Sequence, residues 1–350
     1  MKYGPIPTTM LERLALWAEK APIPVMDSLF SIMKARGLMA GVSLGVFEAI
    51  GSTAKTPDEL AKELQLDASS LELLLRCMVW AGYLKQSGNR YRLSPLSRKM
   101  AVNSGAMDLS GFVNWNYVQW RMVEQLETLL KTGRGVDFHS TMAAPQEWAW
   151  YQEAMLDIAR LDAPFLAKAV PVVKGARRLL DVGGSHGLLG AAICRKHPPM
   201  RSLVIELPSA IGHARILAKK ENILDIVDYR PGNILETDFG VDNDVVLLGN
   251  ILHHFLPHQI AQILKRLRGA VSPGGTIAIW DLETPDPNSK PNAGDGAALY
   301  FRLTSTAQCY SGKQLSDWLS SSGFERRRIC RPVLRPGYIL VTGGAPLQAK

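Results

Sequence analysis

The sequence predicts an α/β protein in which a doubly wound parallel sheet follows a smaller helical domain. Three observations predict this fold. From residue 178 onward, short apolar runs alternate with helical patterns, as in a sheet that helices cover on both faces. Residues 56–93 read as two helices and a hairpin. The chain has 350 residues, 47% of them hydrophobic and 21% charged, which suits two packed domains.

Residues 1–105 are predicted to form a winged-helix domain. Thr56 begins a helix as a hydroxyl cap, with Pro57 at the first helical position. A second helix with an apolar face follows, and two alternating segments around residues 87–89 predict a hairpin. A winged helix can read DNA, but the second helix offers Arg76 among mostly apolar side chains. We therefore predict a dimerisation domain that binds no nucleic acid.

Residues 106–350 are predicted to form the larger domain. Its first part, 106–175, is a helical segment rich in aromatic residues that could line a flat, apolar ligand site. Five strands are predicted after it, at 178–182, 203–206, 244–248, 276–280 and 337–341. Ligands of parallel sheets bind at the carboxyl ends of the strands, so residues that follow these strands are the first site candidates.

A glycine-rich turn joins the first of these strands to a helix. Residues 181–187 read Asp-Val-Gly-Gly-Ser-His-Gly, and glycine lets a backbone approach a ligand closely. Glu206, at the end of the next strand, can accept hydrogen bonds from both hydroxyls of a ribose. The turn departs from the GxGxxG of dinucleotide sites, and Asp181 suits a cationic sulfonium better than a pyrophosphate. S-adenosylmethionine (SAM) is therefore favoured over NAD.

Four segments together resemble the landmarks of the SAM-dependent O-methyltransferases. They are the turn 181–187, the Glu-Leu-Pro at 206–208, the Gly-Asn-Ile-Leu at 232–235 and the Leu-His-His-Phe at 252–255. The resemblance covers nearly the whole chain and is closest to the caffeate and acetylserotonin type, including its bacterial secondary-metabolite relatives. It implies a Rossmann-like SAM methyltransferase sheet, a homodimer, and methyl transfer to a hydroxyl of a small apolar acceptor, aromatic or polyketide-like.

The same resemblance implies where the cofactor and the acceptor bind. Glu206 would take the ribose hydroxyls, Asn233 would lie near the adenine amino group, and the glycine turn would hold the methionine part. Ser185 replaces a glycine of the family's turn and should be tolerated if its φ is negative. The implied cofactor residues are Asp181, Gly183, Gly184, Ser185, Gly187, Glu206, Leu207, Gly232, Asn233, Ile234 and Asn250, and the acceptor residues are Trp115, Trp148 and Met155.

His253 aligns with the histidine that serves this family as general base. It follows the strand 244–248 and so lies at the ligand-binding edge of the sheet. A phenol of pKa about 10 and a histidine of pKa about 6.5 differ by roughly 3.5 units, so a carboxylate is needed to stabilise the imidazolium. Asp281 occupies the family's position for that acid, and Glu283 is the fallback. His254 is expected to point away and pack.

Two departures from the family leave other functions open. His253 is followed by His-Phe instead of Asp-Trp, and the second supporting acid would fall near residues 309–310, where the chain has none. Methylation at carbon or nitrogen, which needs no His253 base, is one alternative. A SAM- or metabolite-binding regulator with a DNA-binding winged helix is another, and an NAD-dependent oxidoreductase is a third.

Composition addresses the remaining classes of function. The four cysteines form no CxxC pair, and the histidines at 253, 254 and 258 lack an acidic ligand, so no metal is predicted. No apolar stretch reaches the ~20 residues of a membrane span, and charges interrupt any signal-peptide core, so we expect a cytoplasmic protein. The net charge of +8 is densest in residues 325–335, interpreted as a solvated strand edge.

Overall fold

The computed structural model describes residues 4–100, 108–137, 141–142, 144–286, 288, 290–291, 293–305 and 307–347. The chain divides into two compact units, Met1–Tyr117 and Val118–Lys350. The predicted boundary between residues 105 and 106 lies outside the described residues and stays a prediction.

The first unit is helical with one small hairpin. β1 (Leu84–Ser87) and β2 (Arg90–Leu93) pair antiparallel. Two helices precede this hairpin directly, in the order that the sequence predicted. The helices of this unit are Met10–Trp17, Ile23–Val25, Ser31–Ser43, Val46–Ile50, Pro57–Leu64, Ala68–Trp80 and Pro95–Met100, with a π-helical turn at Met26–Phe30, and Ser110–Val123 continues into the second unit.

Local signals in the sequence explain where these elements begin and what they cover. Thr56 caps its helix with a full capping box: its hydroxyl accepts the Glu59 N–H, and the Glu59 carboxylate accepts the Thr56 N–H. Phe47, Leu75 and Tyr91, from two helices and the hairpin, are fully buried in one shared core. The helices and the hairpin therefore fold as one body.

The second unit is built on a seven-stranded sheet with the order β5-β4-β3-β6-β7-β9-β8. Its strands are β3 (Arg178–Val182), β4 (Arg201–Glu206), β5 (Val227–Pro231), β6 (Asn243–Gly249), β7 (Val271–Leu282), β8 (Glu325–Cys330) and β9 (Tyr338–Gly344). Strands β3 to β7 are parallel, whereas β9 is antiparallel to both β7 and β8. The predicted last parallel strand thus runs the other way, because a short loop joins it to β8.

Helices cover both faces of this sheet. Val245 and Leu247 of β6 belong to one hydrophobic core, whereas Val246 and Leu248 belong to the other. This alternation follows the two-residue period of a strand, and its apolar character on both faces is typical of parallel sheets. The helices are Leu126–Thr132, Pro145–Ala169, Leu188–Lys196, Pro208–Lys220, Pro257–Ala270, Ala293–Thr304 and Gly312–Ser321, with a 3₁₀ turn at Leu252–His254.

The strand order fixes the place of a binding site. From β3 the sheet continues to β4 on one side and to β6 on the other, so the order reverses between β3 and β6. Ligands of doubly wound sheets bind outside the carboxyl ends of the strands at such a reversal. Among the described residues, no helix is long and apolar enough to cross a membrane.

Candidate active site

A cavity of about 340 Å³ lies at this edge of the sheet. The glycine turn after β3, Glu206 at the end of β4, residues 232–234 after β5 and residues 249–251 after β6 line it, together with one face of helix Pro145–Ala169. A cavity of a few hundred Å³ with polar groups from several strand ends is typical of a site for a small organic ligand.

Most of the residues that the resemblance assigned to the cofactor line this cavity. They are Asp181, Gly183, Gly184, Ser185, Glu206, Leu207, Gly232, Asn233, Ile234 and Asn250. Gly187 does not line it: it begins helix Leu188–Lys196 with a φ of 77°, and a Cβ there would lie 2.9 Å from Val227 and 3.0 Å from Val204. Gly187 therefore serves the close packing of helix on sheet.

Asp181 is a buried carboxylate with no hydrogen-bond partner in the described chain. Its side chain is 1% exposed, and both of its oxygens lack a donor. Two glycines make room for it: a Cβ on Gly184 would lie 2.3 Å from the carboxyl carbon, and one on Gly190 would lie 2.8 Å from an oxygen. Burial raises the pKa of Asp181 to about 7. A cation or donor entering the cavity would relieve this cost.

Glu206, in contrast, is held by two backbone N–H groups. The Ser185 N–H donates to one carboxylate oxygen at 2.9 Å, and the Leu207 N–H donates to the other at 2.8 Å. Burial raises the pKa of Glu206, and these two donors oppose the rise. Each oxygen keeps further lone pairs, so the carboxylate can still accept hydrogen bonds from two hydroxyls of a ligand.

Two residues that are not glycine adopt left-handed backbone conformations at the cavity. The φ of Ser185 is 50° and that of Asn250 is 53°, so the negative φ on which the tolerance of Ser185 was conditioned is not what the structure has. The left-handed turn brings the Ser185 N–H to Glu206. Such strain costs on the order of 1 kcal/mol per residue and is concentrated at functional sites. The side-chain oxygens of Ser185 and Asn250 are buried without a partner in the described chain.

His253 and Asp281 form a buried pair beside the cavity. Nδ1 of His253 lies 2.6 Å from Oδ1 of Asp281. The carboxylate also accepts the N–H groups of Leu252 at 3.1 Å, His253 at 3.3 Å and Leu282 at 2.8 Å. An ionised carboxylate only accepts, so Nδ1 of the histidine is the donor and carries the proton. In the neutral ring Nε2 is then the nitrogen that can accept a proton.

The adjacent residues His253 and His254 point their side chains in different directions. The His253 ring packs between those of His254 and Phe301, with centroids 4.2 and 4.3 Å away, and it is not among the cavity-lining residues. His254 does line the cavity, so the expectation that it points away is wrong. The 3₁₀ turn explains this, because three residues per turn send adjacent side chains in directions about 120° apart. The Ser305 hydroxyl, at the cavity, donates to the His253 carbonyl at 3.0 Å.

The position of Glu283 settles which acid faces the histidine. Its carboxylate forms a bidentate pair with Arg331, at 2.5 and 2.6 Å, and accepts the Gly312 N–H at 2.9 Å. The acid bonded to His253 is therefore Asp281. Where the family has its second acid, Tyr310 instead donates its hydroxyl to the Phe255 carbonyl at 2.6 Å.

Two of the three predicted acceptor residues lie at the cavity, and their contact with an acceptor stays a prediction. Trp148 and Met155 line the cavity, whereas Trp115 belongs to the first unit. The sequence reasoning missed other lining residues on the helix that carries Trp148. Lining residues lie three, four, seven and eleven positions after Trp148, so they share one face of that helix. It also missed residues near the end of helix Ala293–Thr304, which no pattern in the sequence points to. The missed residues include Tyr151, Gln152, Ala159, Thr304 and Ser305.

Comparison with known proteins identifies the family of this chain. A family model described as the O-methyltransferase domain matches residues 115–325, and one described as the O-methyltransferase dimerisation domain matches residues 26–103. The chain belongs to the O-methyltransferase family. It is a SAM-dependent O-methyltransferase of the type found in secondary metabolism, and SAM is its cofactor. The resemblance drawn from the motifs is confirmed, and the NAD-dependent oxidoreductase is excluded.

Two Streptomyces relatives show the range of this family. A 3-hydroxy-5-methyl-1-naphthoate 3-O-methyltransferase of Streptomyces sahachiroi is 26% identical over 318 residues, which cover 89% of this O-methyltransferase and 91% of the relative. An N,N-dimethyltransferase of Streptomyces rimosus is 26% identical over 281 residues, 76% of this chain and 81% of the relative. The structure of human N-acetylserotonin methyltransferase in complex with SAM shares the fold, with a TM-score of 0.82, 17% identity and coverage of 97% and 100% of the two chains.

Replacing Asp181 with Asn is expected to remove a pH-dependent cost of folding. The folded pKa of about 7 lies above the ordinary value of 3.8, so between these two values the ligand-free wild type loses stability as the pH rises, because the carboxyl ionises in the unfolded chain while it stays protonated in the fold. From pH 5 to pH 7 the Asp181→Asn variant should gain about 2 kcal/mol in unfolding free energy relative to the wild type. Urea unfolding at both pH values measures this, and a gap that does not change with pH would contradict it.

Proposed function

We propose that this enzyme methylates a hydroxyl group of a small, uncharged aromatic or polyketide-like acceptor, with His253 as general base and Asp281 as its partner. The observation that carries the proposal is the 2.6 Å contact between Nδ1 of the buried His253 and the Asp281 carboxylate. It fixes the ring and leaves Nε2 to accept the hydroxyl proton. The predicted cytoplasmic location is kept as part of the proposal.

The residues around the cavity fit SAM. When bound, SAM supplies a methyl group on a positively charged sulfonium, together with an ammonium group. Asp181, Ser185 and Asn250 offer buried oxygens that lack donors from the described chain, so they can accept from the ammonium group. Glu206 can accept from the ribose hydroxyls. The side-chain oxygen of Asn233 accepts the Leu235 N–H at 3.0 Å and keeps a lone pair for the adenine amino group.

The acceptor class follows from the remaining wall of the cavity. Trp148, Tyr151 and Met155 present flat or adaptable apolar surface from one helix, which favours an aromatic ring. Among the lining residues that the structure describes there is no lysine or arginine, whereas Asp137, Asp181 and Glu206 are acidic. An acceptor with a carboxylate or phosphate would meet no lysine or arginine among these described residues, which favours an uncharged acceptor. Trp115 as an acceptor contact stays a prediction from the resemblance.

The proton transfer needs the help that Asp281 gives. A phenol of pKa about 10 is some 3.5 units above an ordinary histidine, which corresponds to roughly 5 kcal/mol. A buried carboxylate in direct contact stabilises the imidazolium, because the surrounding dielectric is low and the hydrogen bond is charge-assisted. The packing of His254 and Phe301 on the ring of His253 keeps it in place.

A second candidate is N-methylation of the acceptor. The relative from Streptomyces rimosus is named an N,N-dimethyltransferase, and the second acid of the family is absent here. A neutral amine is nucleophilic without a base, so this reaction would not depend on His253.

His253→Gln should lower kcat for a hydroxyl acceptor by about 10²-fold or more, because the general base is lost. Asp281→Asn should act in the same direction, since it removes the charge that holds the Nδ1 proton. The measurement is turnover of a panel of hydroxynaphthalenes with SAM. His258→Gln, at an exposed position on helix Pro257–Ala270, is the matched control and should keep wild-type turnover. Wild-type turnover of the hydroxynaphthalenes by His253→Gln would overturn the base assignment.

We also propose that the first unit forms a homodimer, which agrees with its match to the dimerisation domain. Helix Met10–Trp17 has no buried residue, although four of its eight residues are large, exposed hydrophobics, with Trp17 82% exposed. An isolated helix of this length is marginal in water, and exposed apolar patches mark protein interfaces. A second copy of the chain would cover this face.

Substituting glutamate for Leu14 and Trp17 together should weaken the dimer, because a charge cannot be buried in an apolar interface without a partner. Sedimentation at micromolar concentration should show the wild type at twice 38.5 kDa and the variant at 38.5 kDa. Arg13→Gln on the same helix is the control and should remain dimeric. A variant that stays dimeric would exclude this helix from the interface, and a monomeric wild type would overturn the homodimer.

A further inference from the structure

Two arginines in the loop after β8 pair with acidic residues of the catalytic unit. The basic run of residues 325–335 was interpreted as a solvated strand edge. For β8 this is confirmed, since all of its residues are exposed at the edge of the sheet. It is wrong for Arg335, which is mostly buried and pairs with the fully buried Asp162, whereas Arg331 is exposed and pairs with Glu283. The physical reason is that the chain turns back from the edge between β8 and β9.

Arg335 belongs to a packed cluster of four side chains. Its Nε lies 2.6 Å from one oxygen of Asp162, which is fully buried on helix Pro145–Ala169. The other oxygen of Asp162 accepts the indole N–H of Trp280 at 2.9 Å. The Trp280 ring stacks on the Tyr338 ring, with their centroids 4.9 Å apart. The Arg335 guanidinium lies over the same Tyr338 ring, 4.6 Å from its centroid. We call Asp162, Trp280, Arg335 and Tyr338 the arginine cluster.

The arginine cluster connects two elements of the active site. Trp280 directly precedes Asp281, and its carbonyl accepts the N–H of Asn250 at 2.7 Å. Asp162 stands on the helix whose other residues, Trp148 and Met155 among them, line the cavity. The bond between Asp162 and Trp280 therefore ties the cavity helix to the end of the strand that carries Asp281.

Arg331 holds the same strand end from the other side of the loop. Glu283, two residues after Asp281, binds Arg331 through both carboxylate oxygens and donates its N–H to the Gly337 carbonyl at 2.8 Å. Between the two arginines, Val333 and Leu334 are 94% and 91% exposed. These two side chains do not anchor the loop, which is attached to the catalytic unit through the ion pairs of its two arginines and the carbonyl of Gly337.

We propose that Arg335 is a positioning residue for the catalytic pair. Arg335 holds the Asp162 carboxylate in place, and Asp162 holds the indole ring of Trp280. The position of Trp280 in turn determines how the neighbouring Asp281 aligns with His253. Arg331 supports the same strand end through Glu283. The inference rests on the proposed function, because it assigns a cause to the geometry of the proposed base. A purely structural ion pair would affect folding stability alone, since buried pairs can often be replaced without loss of the fold.

The test uses two variants that break the pair from opposite sides. Arg335→Gln removes the cation and leaves the buried Asp162 carboxylate without it, whereas Asp162→Asn removes the buried anion, keeps an acceptor for Trp280 and leaves the partly exposed Arg335 without its partner. Arg335→Lys keeps the charge and is the rescue variant. Arg328→Gln removes an exposed arginine of the same basic run and is the matched control. Asp162→Asn carries the test if Arg335→Gln does not fold.

The first readout is the ring N–H proton of His253, observed by NMR in protein with ¹⁵N-labelled histidine and assigned by its loss in His253→Gln. Arg335→Gln and Asp162→Asn should shift or broaden this low-field signal, Arg335→Lys should restore it in large part, and Arg328→Gln should leave it unchanged. The second readout is turnover of hydroxynaphthalenes, where kcat should fall about tenfold while the Kd for S-adenosylhomocysteine stays within twofold.

Each remaining outcome is decisive. If both pair-breaking variants keep the wild-type signal and kcat, Arg335 has only a structural role and the inference falls. It also falls if Arg328→Gln shifts the signal equally, since the effect would then reflect overall charge. If the wild type shows no low-field His253 proton, the base assignment in the proposed function fails first, and the inference fails with it.

Discussion

The burial of Asp181 without a partner of its own is the constraint on which the site depends. Glycines at 184 and 190 leave the space that the carboxylate occupies, and its burial holds the pKa near 7. The free-energy cost of burying a carboxylate without a partner is tolerated where a bound ligand supplies that partner. The left-handed conformations of Ser185 and Asn250 belong to the same arrangement, because they place further unpartnered oxygens at the cavity.

The two buried aspartates of the site have opposite surroundings. Asp281 receives four N–H groups and is satisfied within the chain, so it can serve as a fixed anion beside His253. Neither oxygen of Asp181 has a hydrogen-bond partner in the described chain, and we propose that a bound cation supplies one. Parallel strands bring both acids to one edge of the sheet, at the ends of β3 and β7. In the proposed function, this division puts the cofactor at one end of the site and proton transfer at the other.

Much of the fold and of the cavity wall could be predicted from the sequence, because the sequence patterns that predict them are local. Alternating apolar runs gave the parallel strands, and the turn 181–187 with Glu206 gave one wall of the cavity. The predictions that failed concern features that depend on contacts between segments distant in the sequence. The sign of φ at Ser185 depends on Glu206, twenty-one residues later, and the direction of His254 depends on a 3₁₀ turn that has no pattern. The roles of Arg331 and Arg335 depend on Glu283 and Asp162, which no spacing brings together.

The most direct measurement is the number of protons released when SAM binds. Calorimetry at pH 6 in buffers of different ionisation enthalpy gives this number without knowledge of the acceptor. Asp181, with a pKa of about 7, is mostly protonated in the ligand-free enzyme at that pH and should lose its proton to make way for the cationic ligand. We expect close to one proton released by the wild type and none by Asp181→Asn. Binding of SAM with no proton release, or equal release by the variant, would contradict the role given to Asp181.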